Sequence, residues 1–246
     1  LIKQVTGLPE QDLLIHLSVL KDAELLYDRG IFPQSTYVFK HALTQEVVQG
    51  SILVQRKKKL HEIIGNVIED LYIDTIGEHY EVLFGHYIAS ENFEKAAEYS
   101  KLAGKKAQKA ASFQDAIEYA QKAISCLERL PQTDTTQKKA IDARTRLAGY
   151  YLSLDHYVDA RAAVAPIVDL AQELNYRKRL PIIFTVLGTF SQWVEEDYSQ
   201  AFHYLEQAFK ISEEVNDDTS LWFASFFLGI ARSLNCEFEK GLEYFR

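Results

Sequence analysis

An aromatic residue followed three places later by a small one recurs five times in this chain. The pairs are Phe93 with Ala96, Phe113 with Ala116, Tyr157 with Ala160, Tyr198 with Ala201 and Phe238 with Gly241. Apolar positions continue after each at helical spacing, as in Ala116, Ala120, Ala123 and Leu127. A small residue lets a second helix approach closely, and the aromatic wedges the turn before it. The last three small residues stand 41 and 40 positions apart. Recurrence at a long, nearly fixed period predicts stacked helical hairpins, none of which can bury its apolar face alone. Proteins built this way bind more often than they catalyse.

Composition agrees. The 246 residues are 47% hydrophobic and 25% charged, as in an ordinary globular chain. Only five prolines and eleven glycines interrupt it, which suits long helices with short connections. The formal charge of −8 argues against a general nucleic-acid binder, because phosphate demands a basic surface. Cys126 and Cys236 lie far apart inside expected helices without metal-ligand spacing and read as reduced core thiols, which fits a cytoplasmic protein. No apolar run approaches bilayer length and no signal peptide is visible, so no membrane role is expected. The chain starts at Leu1, stops at Arg246 inside an expected helix and holds no Met, and it reads as an internal fragment.

Residues 1–72 have a pattern of their own. Leu8-Pro9-Glu10 opens a helix with Pro in the first turn and acids behind it. Leu13, Leu14, Leu17, Leu20 and Leu25 form its apolar stripe. Glu24–Arg29 and Ser35–Lys40 read as short strands, with a turn at Gly30-Ile-Phe-Pro33. Helix, strand, turn and strand together predict a winged-helix module. Two helices follow, over 42–53 and 54–72, the second with Leu60, Ile63, Ile64, Val67, Ile68 and Leu71 at helical spacing.

From residue 73 the pattern is helical throughout, as first helices over 73–132 and then a superhelix over 133–246, joined at Pro131–Thr136. A large-small pair precedes each marker: Leu147-Ala148 before Ala160, Leu187-Gly188 before Ala201, Leu228-Gly229 before Gly241. Leu83-Phe84, with Gly85, stands before Ala96. In this respect the sequence resembles the tetratricopeptide repeats (TPRs) over about two thirds of its length, with a period longer than their usual ~34 residues. Ala96 and Ala116 lie only 20 apart, so 93–130 reads as successive helices rather than whole repeats. The fold class expected is mostly α: a small winged-helix module, then a TPR-like α-α superhelix of long repeats.

Tyr37-Val-Phe-Lys-His41-Ala-Leu-Thr-Gln-Glu-Val47 is the most specific local stretch. It puts His41 where a strand gives way to a helix, within reach of a neighbouring anion and helix-terminal amides. On local chemistry alone such a histidine caps or packs the junction. The order aromatic-x-His-x-Leu after a wing strand resembles the winged-helix domain that follows the ATPase module of STAND-type signalling ATPases. Together with Thr6-Gly-Leu-Pro and Glu24-Leu-Leu-Tyr, it resembles bacterial members whose ATPase module precedes tetratricopeptide repeats, often with a class III adenylate/guanylate cyclase domain in front. The resemblance implies that His41 contacts the β-phosphate of ADP and that Phe39 and Leu43 anchor the strand and helix around it. Ala42 stands where that motif often carries Asp. No Gly-x-x-x-x-Gly-Lys-Ser/Thr loop occurs, so ATP or ADP is expected only with an upstream ATPase domain in cis, and no cofactor in this chain itself.

Other candidates read as structural. Arg56–Lys59 makes a collar rather than a stripe and is a solvated helix end. Glu10, Gln11, Asp12 and Asp22 give the first helix an acidic face, which disfavours DNA. His79 and His86, near Glu78 and Glu81, are two turns apart, too far for one metal ion without a third ligand folded in. No Ser/His/Asp or Cys/His set is visible, so neither catalysis nor a metal site is expected.

In tetratricopeptide arrays the first helix of each pair lines a concave groove that takes peptides or partner helices. Here that face maps onto Asp142, Thr145, Gly149, Thr185, Thr189, Gln192, Phe226 and Ile230, which suits a protein or peptide partner. The same residues could serve only to close the superhelix against itself, and sequence does not separate the two. The leading expectation is a regulatory, protein-interaction fragment of a multidomain signalling ATPase. The alternatives are a stand-alone scaffold and the sensor region of a LuxR-type transcription activator.

Overall fold

The computed structural model describes residues 1–30 and 36–245 and divides into two compact units, Leu1–Ala96 and Ala97–Arg246. The sequence reading draws its boundaries at 72 and 132 instead. In the first unit a short helix α1 (Ile2–Thr6) leads into α2 (Glu10–Asp22), which begins directly after Pro9 with Glu10 and Asp12 in its first turn. Acids there complement the positive end of the helix dipole. Strands β1 (Leu26–Arg29) and β2 (Thr36–Phe39) pair antiparallel, Leu26 opposite Phe39 and Arg29 opposite Thr36. The Lys40–Glu24 ion pair (2.5 Å) and the Lys40 amide bond to the Leu25 carbonyl (3.0 Å) close the open end of the hairpin. The turn expected at Gly30–Pro33 lies, from Ile31 onward, outside the described residues.

Helices α3 (Ala42–Ser51) and α4 (Val54–Leu71) follow as expected, then a 3-10 stretch (Ile73–Glu78) and α5 (Tyr80–Ala89). Helix α4 packs on α5 through Gly65. A Cβ at that position would lie 2.8 Å from the Tyr87 ring, so only glycine admits the fully buried tyrosine. The Tyr87 hydroxyl donates to Asn66 Oδ1 (3.1 Å), and Lys95 Nζ donates to the same oxygen (3.0 Å) and to Glu69 (2.7 Å). Helix α6 (Phe93–Lys109) carries the division between the units.

The second unit continues with α7 (Phe113–Leu127), α8 (Asp134–Leu152), α9 (Tyr157–Val164), α10 (Val168–Glu173), α11 (Leu180–Trp193), α12 (Tyr198–Val215), α13 (Asp218–Leu234) and α14 (Phe238–Glu243). Short 3-10 turns lie at Ala165–Ile167 and Arg177–Arg179. Consecutive helices pack as hairpins: α8 with α9, α11 with α12, α13 with α14. The long period arises from helices of 17 to 19 residues, as in α8, α12 and α13. Residues 93–127 form two successive helices, as the short Ala96–Ala116 interval requires.

The marker residues do what their spacing implies. Ala96, Ala116, Ala160, Ala201 and Gly241 are all buried. A Cβ on Gly188 would meet the Ala201 carbonyl oxygen at 3.2 Å, and one on Gly241 the Gly229 carbonyl oxygen at 3.0 Å, so the last two large-small pairs pack their small member against the next marker. A Cβ on Gly85, by contrast, would meet nothing within 4 Å. Helix α11 is apolar nearly all round and buried along most of its length. Next to it, Leu205, Phe227, Leu228 and Ala231 form a core cluster flanked by Phe202, Phe209, Phe223 and Tyr244. No helix among the described residues is long and apolar enough to cross a membrane.

Candidate functional site

Helices α8, α11 and α13 are the first members of their hairpins, and their shared wall encloses a cavity of about 350 Å³. Helix α8 contributes most. Asp142, Thr145, Arg146, Gly149, Tyr150 and Ser153 recur at intervals of three and four, so one helical face lines the floor. Lys178 and Arg179 enter from the 3-10 turn, Ile182 from α11, and Asp217, Thr219, Ser220 and Phe223 from the start of α13; Gln108 reaches in from α6. Gly149 keeps the floor open, since a Cβ there would meet nothing within 4 Å.

Three of the eight groove positions expected from sequence, Asp142, Thr145 and Gly149, meet at this cavity. Asp142 accepts from Arg179 Nε (2.5 Å) and the Tyr176 hydroxyl (3.1 Å). Thr145 is largely buried and donates back to the Ile141 carbonyl (2.9 Å). The other five lie elsewhere. Thr185 and Thr189 are fully buried and donate to carbonyls of their own helix, Pro181 (2.9 Å) and Val186 (3.0 Å). Gln192 is 2% exposed, and neither end of its amide has a partner among the described residues. Ile230 is half-buried. Phe226 stacks on the exposed Trp222 (centroids 5.4 Å apart, 8° between planes) and lines a separate cleft with Leu221, Tyr244 and Phe245.

Sequence reasoning missed Arg146, Tyr150, Lys178, Arg179, Asp217 and Ser220. The signal for the first two was present, because Arg146 and Tyr150 follow Asp142 at steps of four along the same helix. Electrostatics single them out. Arg146 is half-buried and has no hydrogen-bond or ion-pair partner among the described residues. Burial lowers its pKa, with Tyr150 and Asp142 opposing and Arg179 adding to the fall. The Tyr150 hydroxyl is buried and likewise unpartnered. Burial raises its pKa against the pull of Arg146. For Arg179 burial is the largest single influence and acts downward, but the hydrogen bonds and charges of Asp142 and Tyr176 together outweigh it and the net shift is upward. The Lys105 pKa falls through burial and then through the like charge of Arg146. A basic neighbourhood thus sits inside an acidic chain.

A larger cavity, about 470 Å³, lies between α9, α11 and α12. Two of its polar side chains are engaged within it, Ser191 donating to Glu195 (2.8 Å) and Asp197 accepting from the Gln200 amide (2.9 Å) to cap α12, while Arg161 lies over the Phe190 ring. The smaller cavity, unlike this one, is lined by a buried side-chain group without a partner among the described residues, the Tyr150 hydroxyl.

His41 belongs to the first unit. It is the N-cap of α3, exposed, in extended backbone (φ −128°, ψ 130°), and its side chain makes no cap bond. The strand-to-helix junction is therefore where the sequence puts it. Leu43, which the resemblance would make an anchor, is 70% exposed instead. Helix α3 buries no residue at all. His86, considered above with His79 as a metal ligand, instead meets His61 of α4, with their Nδ1 atoms 3.0 Å apart. His79 packs on Tyr72 (ring centroids 4.2 Å). Among the described residues no group of three or more His, Cys, Asp or Glu could hold a metal ion.

No protein-family model matches this chain, and no curated protein does. Solved structures do match in fold. The chain is similar to the apo form of RapI, at 15% identity over 83% of this chain and 56% of that one, with a TM-score of 0.56. Aspartyl phosphate phosphatase F from Bacillus subtilis matches at 16% identity over 82% and 52%, with a TM-score of 0.53. A crystal structure of the nearly identical TPR-like repeats of a putative kinesin light chain from Podosopora anserina matches at 12% over 78% and 92%, with a TM-score of 0.51. The chain thus spans little more than half the length of the first two. The fold is a mostly helical, TPR-like repeat with one small two-stranded sheet.

Proposed function

We propose that the chain is a regulatory, partner-binding part of a multidomain signalling ATPase. The TPR-like repeats take a protein or peptide segment on the face shared by α8, α11 and α13. The N-terminal helix-and-hairpin module, read as a winged helix, couples that event to a nucleotide-binding module in cis through His41. The observation that carries the first half is the polar cavity at the common wall of three first-of-pair helices, where the Tyr150 hydroxyl and Arg146 have no hydrogen-bond partner among the described residues. TPR-like arrays present such a face to extended segments. The second half is supported by α3, which starts at His41 and leaves Leu43 and Val47 exposed one turn apart, as a helix awaiting a neighbouring body would. A ligand on the repeats moves such a switch only by preferring one of its states.

The test is ADP retention by the full-length protein, wild type against His41→Ala. Loss of a charge-assisted contact to phosphate speeds ADP release about tenfold. Unchanged retention with intact folding returns His41 to a packing role and leaves the stand-alone scaffold as the reading.

A further inference from the structure

We propose that the cavity floored by α8 is a carboxylate-binding site, with Arg146 and Tyr150 as its donors and Lys178 at its rim. The proposal deepens the partner-binding reading and rests on it, since the carboxylate is taken to belong to a peptide lying along the concave face. Two independent observations meet here. Arg146 is a half-buried guanidinium with no counter-charge in contact among the described residues, although a cation drawn out of water ordinarily requires one. One turn further along the same face, the Tyr150 hydroxyl, 2% exposed, lines the same cavity and has no partner either. A buried hydroxyl left unpaired costs stability, so it marks a place where an acceptor belongs.

The chemistry of that acceptor follows from the remaining charges. A guanidinium offers parallel N–H donors that match the two oxygens of a carboxylate. The cavity already holds Asp142, tied to Arg179, and Asp217, which caps α13 by accepting from the Ser220 amide (3.2 Å) and hydroxyl (2.9 Å). Three cations against two engaged carboxylates leave one net positive charge. A singly charged carboxylate neutralises it, whereas a phosphate dianion overshoots and meets the two aspartates.

The test follows the Nε–H resonance of Arg146 in the chain as it stands while sodium acetate replaces sodium chloride at constant ionic strength. The resonance shifts saturably in the wild type. Tyr150→Phe weakens acetate several-fold, and so does the rim variant Lys178→Gln, at an exposed residue with no ion pair among the described residues, without touching the fold. In Arg146→Gln, acetate no longer raises the melting temperature. A linear, non-saturating response overturns the site, as does an unchanged affinity in both Y150F and K178Q. Inorganic phosphate binding more tightly than acetate also overturns it. A random octapeptide library panned on the wild type separates this proposal from the reading beneath it. Acidic peptides that bind at least about tenfold more weakly to R146Q support the site. Peptides that bind wild type and R146Q alike leave the concave-face reading intact and sink the carboxylate site. Saturable acetate with no peptide recovered keeps the site and removes the peptide.

Discussion

At Gly188 a methyl group would lie 2.6 Å from Leu205 Cγ and 3.2 Å from the Ala201 carbonyl oxygen. Leu205 is fully buried and the oxygen is backbone, so neither can step aside. Gly188→Ala gains about 1 kcal/mol of helix propensity but incurs about 1–3 kcal/mol of overpacking, and the strain wins. Gly149→Ala, one hairpin earlier, meets open space and keeps the propensity gain. Urea titrations followed by tryptophan fluorescence therefore shift in opposite directions: a lower midpoint for Gly188→Ala, a higher one for Gly149→Ala. This contrast also explains what sequence could reveal of single residues. A buried marker such as Ala201 is legible because close approach tolerates nothing larger. Thr185 and Thr189 are not legible as core, because a threonine that returns its hydroxyl to its own helix looks in sequence like one facing a groove. Arg146 was passed over for a related reason: its distinguishing property is a missing partner, and sequence lists residues but not partners.

The elements end by a shared device that composition conceals. Each of the five marker aromatics is preceded two places earlier by a non-glycine residue in the left-handed region: Glu91, Ala111, Asp155, Glu196 and Cys236. Behind most of them the next amide reaches back five residues to close the preceding helix, as in Asn92 to Tyr87 (3.0 Å), Ser112 to Ala107 (2.9 Å), His156 to Tyr151 (3.0 Å) and Glu237 to Arg232 (2.9 Å). This is the Schellman closure, in which glycine normally supplies the positive φ. With no glycine at these places, turn chemistry gave no warning of them, and only the spacing of the markers did. The conformation costs an L-residue about 1–2 kcal/mol, of which glycine recovers part after its own entropy is counted. Ala111→Gly, at φ 57°, accordingly stabilises the α6–α7 turn by roughly 0.5–1 kcal/mol. Ala111→Val, with a branched β-carbon in the same conformation, destabilises it. Paired thermal melts of the two variants, bracketing the wild type, check both signs.

At the scale of the whole chain, the compact units part inside α6, a continuous helix, and so leave no proline, glycine or charge boundary for sequence to register. Their chemistry differs in a way that acid exposes. In the first unit the Nδ1 atoms of His61 and His86 stand 3.0 Å apart, an arrangement that needs one ring to accept and fails when both are protonated. Burial lowers both pKa values; the charge of Lys57 adds to the fall at His61, and that of His61 adds to it at His86. A base whose folded pKa is depressed binds fewer protons folded than unfolded. Stability is therefore complete above the unfolded value near 6.5, falls as pH drops below it, and levels off below the folded pKa values. Both tryptophans, Trp193 and Trp222, lie in the second unit. Between pH 7.5 and 5.5 the urea midpoint of far-ultraviolet circular dichroism, which senses both units, falls further than the fluorescence midpoint, which senses the second. In the double variant His61→Asn/His86→Asn that difference closes. Equal acid sensitivity in wild type and double variant would mean that the histidine contact between α4 and α5 does not govern the stability of the first unit.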